Sequence, residues 1–321
     1  MIVKDDLYGQ PVIHIKILPH RRAVCTNIVY KLSDFKYHNT VCDIIQQIFI
    51  NERKKNMGKI IACVNEKGGV AKTTTIKNLS IGLAMEGKKV LAIDLDPSAN
   101  LTKALGLVAD PEQGTICEIF QLVKDCEEVP EGFGITHQEE GIDVITSSDR
   151  LHVCENDLMS AFQKEVILRR YVTTITQNYD FIFLDCPAGL GIFVTNALFC
   201  ADRLIIPLEP QFLASEAMQN LLKRIALVRK MNGTETKPEI TGILFTKVRI
   251  NTNNDRYIMQ SLKENFLASN VKVFETYIPS AVRISESDLA RQSIYKFSPH
   301  TNVAMIYSDL VAEFLQMEAS R

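Results

Sequence analysis

The chain has 321 residues, of which 46% are hydrophobic and 23% are charged, a composition typical of a soluble globular protein. No apolar run approaches the roughly 18 residues that a membrane span needs, so the sequence argues against a membrane protein and favours a cytoplasmic one. The formal net charge is −2, which argues against a protein that coats nucleic acid through bulk charge alone.

The first 56 residues differ from the rest of the chain. They carry nine basic and five acidic residues, a net charge of +4, which leaves −6 for the remainder. The segments PVIHIKIL and AVCTNIVYKL resemble strands and TVCDIIQQIFI resembles a helix, too little to bury an independent core. We therefore divide the chain into a short basic N-terminal extension, residues 1–56, and a main domain, residues 57–321.

The segment NERKKN directly precedes Met57. Glu-Arg-Lys can be encoded by a purine-rich stretch that resembles a bacterial ribosome-binding site, so we expect Met57 to be the working start. The alternative is that residues 1–56 form a small basic accessory module. Intact-mass analysis of the protein from its native host tests this expectation, and a mass that includes Met1 or Ile2 would reject it.

Short apolar segments rich in β-branched residues alternate with helical patterns from Gly58 onward. We predict strands at KIIACVN, KVLAIDLD, IDVITSS, DFIFLDC, DRLIIPLE and EITGILFTKV. Apolar residues at helical spacing, Met218 to Val228 and Val303 to Phe314, predict helices with one buried face. The alternation predicts an α/β fold: a doubly wound, mostly parallel sheet with helices on both faces and ligands at the carboxyl ends of its strands.

The eight cysteines include no C-x-x-C pair, and several lie in apolar segments. Buried, reduced thiols are the interpretation that this pattern favours, so we expect neither a disulfide framework nor a zinc site.

The stretch NEKGGVAKTTTIKN follows the first of these strands and runs into a helix. A strand, a glycine-containing loop and a helix start form an anion site, because free backbone N–H groups and the helix dipole point at one spot. The pattern G-x-x-x-x-G-K-[ST] fails, since its glycine positions hold Glu66 and Ala71. A different loop, K-G-G-x-x-K-T, matches from Lys67 to Thr73.

Four further segments follow in order: DLDPSANLTKALGL, LDCPAGLG, YIPSAVRISES and YKFSPHTNVAMIY. With the loop, they resemble the motifs of the ParA/MinD family of deviant Walker A ATPases, and are most similar to ParA/Soj-type partition proteins. The resemblance runs from about Gly58 to Leu315 and implies the fold of the P-loop NTPases. Ala188 and Ser280 depart from the family pattern, which has proline and arginine there.

The loop residues receive roles from P-loop chemistry. Lys72 is placed for the β- and γ-phosphates of ATP, the Thr73 hydroxyl for Mg²⁺, and Asp185 for the magnesium shell. The expected nucleotide contacts are Lys67, Gly68, Gly69, Val70, Ala71, Lys72, Thr73 and Thr74, and by resemblance the adenine lies near Pro279.

The resemblance implies three further roles. Lys67 would reach across a nucleotide-sandwiched homodimer to the partner's phosphates. Asp96 would orient the attacking water, and Asp94, in the neighbouring switch segment, joins Thr73 and Asp185 in the predicted metal set. The methyl group of Ala71 either crowds the phosphate or is tolerated if its φ stays negative, so we expect retained ATP binding with slower hydrolysis.

The family contains several functions. The chain ends SDLVAEFLQMEASR, which lacks the basic amphipathic face of a membrane-targeting helix. By resemblance we expect a nucleoid-associated partition or chromosome-segregation ATPase that binds DNA nonspecifically as its ATP-bound dimer and is stimulated by a ParB-like centromere-binding protein. The alternative is a cargo-positioning or conjugation-associated ATPase that acts on a protein scaffold.

Basic residues that could contact DNA lie in three regions. The main candidates are Lys223, Arg224, Arg249 and Arg283, accompanied by Arg229, Lys230, Lys247 and Arg256. A solvated helix face is the alternative interpretation. Since Ser280 replaces a family arginine, DNA binding could be weakened or redistributed.

Overall fold

The computed structural model describes residues 57–211, 214–234, 236–249 and 253–320, and the backbone of three short strands nearer the N-terminus. The chain divides into two compact units, Met1–Asn56 and Met57–Arg321.

The N-terminal unit contains a three-stranded antiparallel sheet. Its strands are β1 (Ile2–Asp5), β2 (Pro11–Ile15) and β3 (Ile28–Lys31), in the order β1-β2-β3. β2 and β3 lie within the two strand-like segments of the sequence, whereas β1 was not predicted. The helix predicted at TVCDIIQQIFI lies outside the described residues.

The main unit is built on a seven-stranded sheet in the order β10-β9-β4-β8-β5-β7-β6. The strands are β4 (Lys59–Cys63), β5 (Val90–Asp94), β6 (Ile135–Gln138), β7 (Ile142–Ile145), β8 (Phe181–Asp185), β9 (Arg203–Leu208) and β10 (Glu239–Phe245). All neighbours are parallel except β6 and β7. The six predicted strands are therefore confirmed. β6 was missed because this short edge strand is only partly buried and lacks an apolar run.

Helices connect these strands. They are α1 (Lys72–Met85), α2 (Asn100–Ala104), α3 (Ile116–Lys124), α4 (Leu151–Met159), α5 (Ile167–Ile175), α6 (Ile192–Cys200), α7 (Ala214–Met231), α8 (Asn253–Ala268), α9 (Val282–Leu289), α10 (Ile294–Phe297) and α11 (Asn302–Ala319). Single 3₁₀ turns occur at Lys164–Val166 and Thr176–Asn178. The predicted apolar faces of α7 and α11 are confirmed, since most of their stripe residues are buried.

The sheet separates two hydrophobic cores. Along β4, Ile60 and Ala62 point into one core, and Ile61 and Cys63 point into the other. The first core is covered by α3 to α7, and the second by α1 and α11. Because successive residues of a strand face opposite sides, a sheet with two buried faces needs the continuous apolar runs seen in the sequence. The doubly wound arrangement is confirmed.

No helix in the described part of the chain is long and apolar enough to cross a membrane. The described cysteines are free thiols, and all except Cys126 are buried.

The register of the central strands brings three side chains to one edge of the sheet. Cys63, the last residue of β4, pairs with Asp185 of β8, which in turn pairs with Asp94 of β5. Parallel strands end on the same side, so the segments that follow β4, β5 and β8 meet there. The candidate site lies at this edge.

Candidate nucleotide-binding site

Residues 65–71, which lie between β4 and α1, are called the phosphate loop here. Its first residue is the buried Asn65, whose amide Nδ2 donates to the carbonyl oxygen of Pro207 in β9 at 2.6 Å. The same side chain accepts a hydrogen bond from the backbone N–H of Lys67 at 2.9 Å. Gly189 N donates to the carbonyl oxygen of Glu66 at 2.9 Å. The loop is thereby fixed to β9 and to the segment that follows β8.

Two loop residues adopt left-handed backbone conformations. Gly69 has φ 72°, and Ala71, which caps the N-terminus of α1, has φ 64° and ψ 31°. The condition for easy tolerance of Ala71, a negative φ, is therefore not met. An alanine in this region costs about 1–2 kcal/mol because its Cβ approaches the following carbonyl oxygen. The contacts of the folded loop therefore keep Ala71 in a backbone conformation that alanine disfavours.

The two lysines of the loop point to different places. Lys72 is buried, and its Nζ donates to the carbonyl oxygens of Lys67 at 3.1 Å and Asn65 at 3.3 Å. The side chain of Lys67 is 45% exposed, with its Nζ 3.6 Å from Glu209 Oε2 and hydrogen-bonded to Gln211 Oε1. Lys72 thus lies inside its own loop, whereas the head group of Lys67 lies at the rim.

Asp185 is fully buried at the end of β8, and neither carboxylate oxygen has a hydrogen-bond partner among the described residues. Burial raises the pKa of Asp185 well above its usual range and the charge of Asp94 raises it further, while the Thr73 hydroxyl and Lys72 oppose the shift. A buried carboxylate without partners beside a hydroxyl is a donor set that suits Mg²⁺, which takes oxygen ligands. The residues present fit the metal.

Asp94 and Asp96 have different environments. Asp94 is buried, and its oxygens accept hydrogen bonds from Thr102 N at 2.9 Å, Thr102 Oγ1 at 2.7 Å and Asp96 N at 3.1 Å. Burial raises the pKa of Asp94 to about 6, although these hydrogen bonds lower it. Asp96 is half-buried, lines the cavity described next, and accepts from Ser98 N at 2.8 Å. Asp94 is therefore placed to fix the backbone around Asp96.

A cavity of about 1050 Å³ opens over the phosphate loop. Of the predicted contacts, Gly68, Gly69, Ala71, Lys72, Thr73, Thr74, Asp96 and Pro279 line it. Val70 is buried, and its carbonyl oxygen accepts from Thr246 Oγ1 at 3.0 Å. Lys247 and Ile278 line the cavity together with Pro279. The cavity is therefore large enough for a nucleotide.

Sequence reasoning missed two parts of the site. It gave no role to Asn65, although asparagine side chains commonly hydrogen-bond the backbone two residues further on in turns. It also missed α9, from which Ile284, Ser285 and Asp288 line the cavity. The contacts of Asp288 join residues more than 200 positions apart, and no local pattern reports them.

The candidate DNA residues do not form one cluster on a single element. Lys223 and Lys230 are exposed on α7, whereas the Arg229 guanidinium donates to the carbonyl oxygen of Pro238 at 2.7 and 3.0 Å. Arg249 pairs with Asp255 at 3.1 Å, and Arg283 pairs with Glu286 at 3.0 Å on α9. The remaining candidates also differ in place: Arg224 is half-buried, Lys247 lines the cavity, and Arg256 is exposed.

A loop that presents a buried lysine between a parallel strand and a helix, next to a carboxylate that fits magnesium, defines a P-loop nucleotide-binding protein. A family model for an AAA domain matches residues 58–240. The sporulation initiation inhibitor protein Soj of Bacillus subtilis is 38% identical over 258 residues, which cover 80% of this chain and 98% of Soj.

Two solved structures extend the comparison. The cell division ATPase MinD of Pyrococcus furiosus superposes with a TM-score of 0.62 at 26% identity, covering 81% of this chain and all of that chain. A cobyrinic acid a,c-diamide synthase of Mycobacterium smegmatis, with ADP and magnesium bound, gives a TM-score of 0.68 at 25% identity, covering 82% and 96%. The chain belongs to the ParA/Soj-like family of P-loop NTPases, and its site is consistent with ATP and Mg²⁺.

The substitution Ala71→Gly tests the loop conformation. Glycine adopts φ 64° without the Cβ contact, so the variant should be more stable by about 0.5–1 kcal/mol after the larger entropy of its unfolded chain is subtracted. We expect ATP affinity to be retained, and equal turnover would show that the alanine is neutral for hydrolysis. Urea unfolding measures the stability.

The matched control for that substitution is Ala84→Gly in α1, where the backbone is helical and glycine should destabilise by about 1 kcal/mol. The two glycine variants should therefore change stability in opposite directions. Destabilisation by both would contradict strain at Ala71.

The substitution Asp185→Asn tests the metal assignment. Replacing a buried carboxyl group that has no hydrogen-bond partner among the described residues should raise the melting temperature of the ligand-free protein and abolish the part of the ATP-induced stabilisation that depends on Mg²⁺. A raised folded-state pKa means that the folded protein keeps a proton that the unfolded chain has lost. Ligand-free stability should therefore fall as pH rises, and fall less in the variant.

Thermal unfolding with and without ATP and Mg²⁺ measures both effects. Asp309→Asn, at an exposed position on α11, is the control and should behave as the parent protein does. An undiminished magnesium effect in Asp185→Asn would remove Asp185 from the metal site.

Proposed function

We propose that the protein is an ATP-dependent dimerising switch ATPase for plasmid partition or chromosome segregation. The observation that carries the proposal is the separation of its two loop lysines. Lys72 lies inside the loop, where it can serve only the phosphates of its own nucleotide. Lys67 lies at the rim, held by contacts that are weak in water, and is free to serve the phosphates of a second subunit.

The residues of one subunit divide the work in this proposal. Lys72 and the backbone N–H groups of the loop would bind the phosphates, and Thr73 and Asp185 would hold Mg²⁺, which would supply positive charge beside the phosphates. Asp96 lies in the cavity as the residue that orients the attacking water. Asp94, which was also predicted in the metal set, acts in our proposal by fixing the backbone next to Asp96.

The ATP-bound homodimer would bind duplex DNA nonspecifically and would associate with the nucleoid in the cytoplasm. A dimer presents every basic side chain twice, which raises the attraction to phosphates without a strongly basic monomer. Lys223 and Lys230 on α7, together with Arg256, support this role because they are exposed. A ParB-like partner would stimulate hydrolysis and so release the DNA.

A second candidate function is positioning of cargo on a protein scaffold. Arg229, Arg249 and Arg283 all contact groups of their own chain, and Ser280 occupies a position that the family gives to arginine. The ion pairs of Arg249 and Arg283 reduce the charge available for DNA, and the carbonyl contact of Arg229 occupies its donors. These contacts favour a protein surface as the partner. The nucleotide switch would work in the same way in both functions.

Sedimentation of the purified protein distinguishes the two functions. We expect ATP, but not ADP, to shift the protein to a dimer that co-sediments with nonspecific duplex DNA at low salt. Lys67→Ala should lose both effects while it retains ATP binding. Lys59→Ala, at the opposite end of β4, is the matched control and should behave as the parent protein does.

Each other outcome has a definite meaning. Dimerisation with ATP but without DNA binding would keep the switch and favour the protein scaffold. A Lys67→Ala protein that still dimerises with ATP would overturn the role given to that lysine.

A further inference from the structure

Lys77 is a buried charge that the proposed function does not use. It lies on α1, one turn after Thr74, and its side chain has no exposed surface. Its Nζ lies 2.5 Å from Asp288 Oδ1 on α9 and 2.7 Å from the carbonyl oxygen of Gln292. Burial lowers the pKa of Lys77, and the charge of Asp288 opposes that shift. A buried ammonium needs such partners, so the two helices are joined here by charge.

Asp288 also faces the nucleotide cavity. One carboxylate oxygen, Oδ1, bonds Lys77, and the other, Oδ2, lies 3.4 Å from the hydroxyl of Thr74. The side chain is 34% exposed and belongs to the cavity wall. Thr74 follows the two residues expected to meet the β- and γ-phosphates and Mg²⁺. A carboxylate is therefore held within contact distance of the end of the phosphate site.

A lone carboxylate at that place would repel a triphosphate. Lys77 offsets the charge, since its ammonium lies 2.5 Å from Oδ1 of the carboxylate. The carboxylate of Asp288 therefore presents to the cavity a strong hydrogen-bond acceptor and no donor. The nucleotide groups that donate are the ribose hydroxyls and the amine of the base.

The position of Asp288 distinguishes these donors. The cavity runs from the phosphate loop to Ile278 and Pro279, which form an apolar wall suited to the flat face of a base. Asp288 touches Thr74 at the loop end, so it stands beside the part of a nucleotide that follows the phosphates. That part is the ribose.

We propose that Asp288, oriented and charge-balanced by Lys77, accepts a hydrogen bond from a ribose hydroxyl and so makes the protein prefer nucleotides that carry that hydroxyl over those that lack it. The proposal rests on the nucleotide site described above and adds its specificity-determining residue. In dinucleotide-binding folds, a carboxylate likewise accepts a hydrogen bond from a ribose hydroxyl. When a nucleotide lacks the hydroxyl, the acceptor in the site is left without a hydrogen-bond partner. The site therefore binds that nucleotide more weakly than the one that carries the hydroxyl.

Calorimetric titration of the full chain with ATP, 2′-deoxy-ATP and 3′-deoxy-ATP in Mg²⁺ tests the proposal. We expect at least one of the two deoxynucleotides to bind about tenfold or more weakly than ATP, the range of a hydrogen bond to a charged group. The double variant Lys77→Met/Asp288→Ala should bind all three alike, because it removes the acceptor without leaving an ammonium buried alone. Asp288→Asn, which keeps the shape and a neutral oxygen, should show a smaller preference than the parent.

Glu286→Gln is the matched control. Glu286 lies on the same helix but pairs with Arg283 and is not part of the cavity wall, so this variant should keep the full preference. Equal affinity of the parent protein for the three nucleotides would overturn the ribose role and leave the ATP site intact. A full preference in both Asp288 variants would overturn it as well. Absence of ATP binding would overturn the proposed function together with it.

Discussion

The hydrogen bonds of Asn65 are the interaction on which the site depends. A phosphate loop must turn its backbone N–H groups toward a ligand, so those groups cannot donate to the backbone carbonyl oxygens of a strand or helix. The loop therefore needs fixation from outside. Asn65 supplies it by joining Pro207 of β9 to the backbone of Lys67, and Gly189 adds a link to the segment after β8. The parallel register places all of these partners at one edge of the sheet.

The features that destabilise the ligand-free protein lie at the same carboxyl end of the strands. Ala71 holds a left-handed backbone, and Asp185 is buried without hydrogen-bond partners among the described residues. Both features destabilise the ligand-free protein. Two well-packed cores on either side of the sheet provide the stability that tolerates them. Local violations of packing and charge rules at one place, within a regular fold, are typical of a functional site.

Much of this could be predicted from the sequence, because the informative signals are local. Apolar runs predict the strands. The spacing of lysines and glycines before a helix predicts the phosphate loop. The remainder depends on contacts between distant residues. The φ angle of Ala71 is set by the folded loop, the pairing of Asp288 with Lys77 joins residues 211 positions apart, and the partners of Arg229 and Arg249 depend on how loops close. Counting basic residues overstates the charge available to DNA for that reason.

The position of Lys67 at the rim bears on how the bound nucleotide could control the association of two subunits. Its backbone is anchored by Asn65, so in the proposed dimer only the flexible side chain has to move between Gln211 and the other subunit. Exposed contacts of this kind contribute about 0.2–1 kcal/mol of stability, so breaking them to release the Lys67 side chain costs little free energy. In our proposal the incoming phosphate charge, rather than a rearrangement of the fold, then decides the association constant. Loss of one phosphate would weaken the pairing of two subunits while leaving each subunit unchanged.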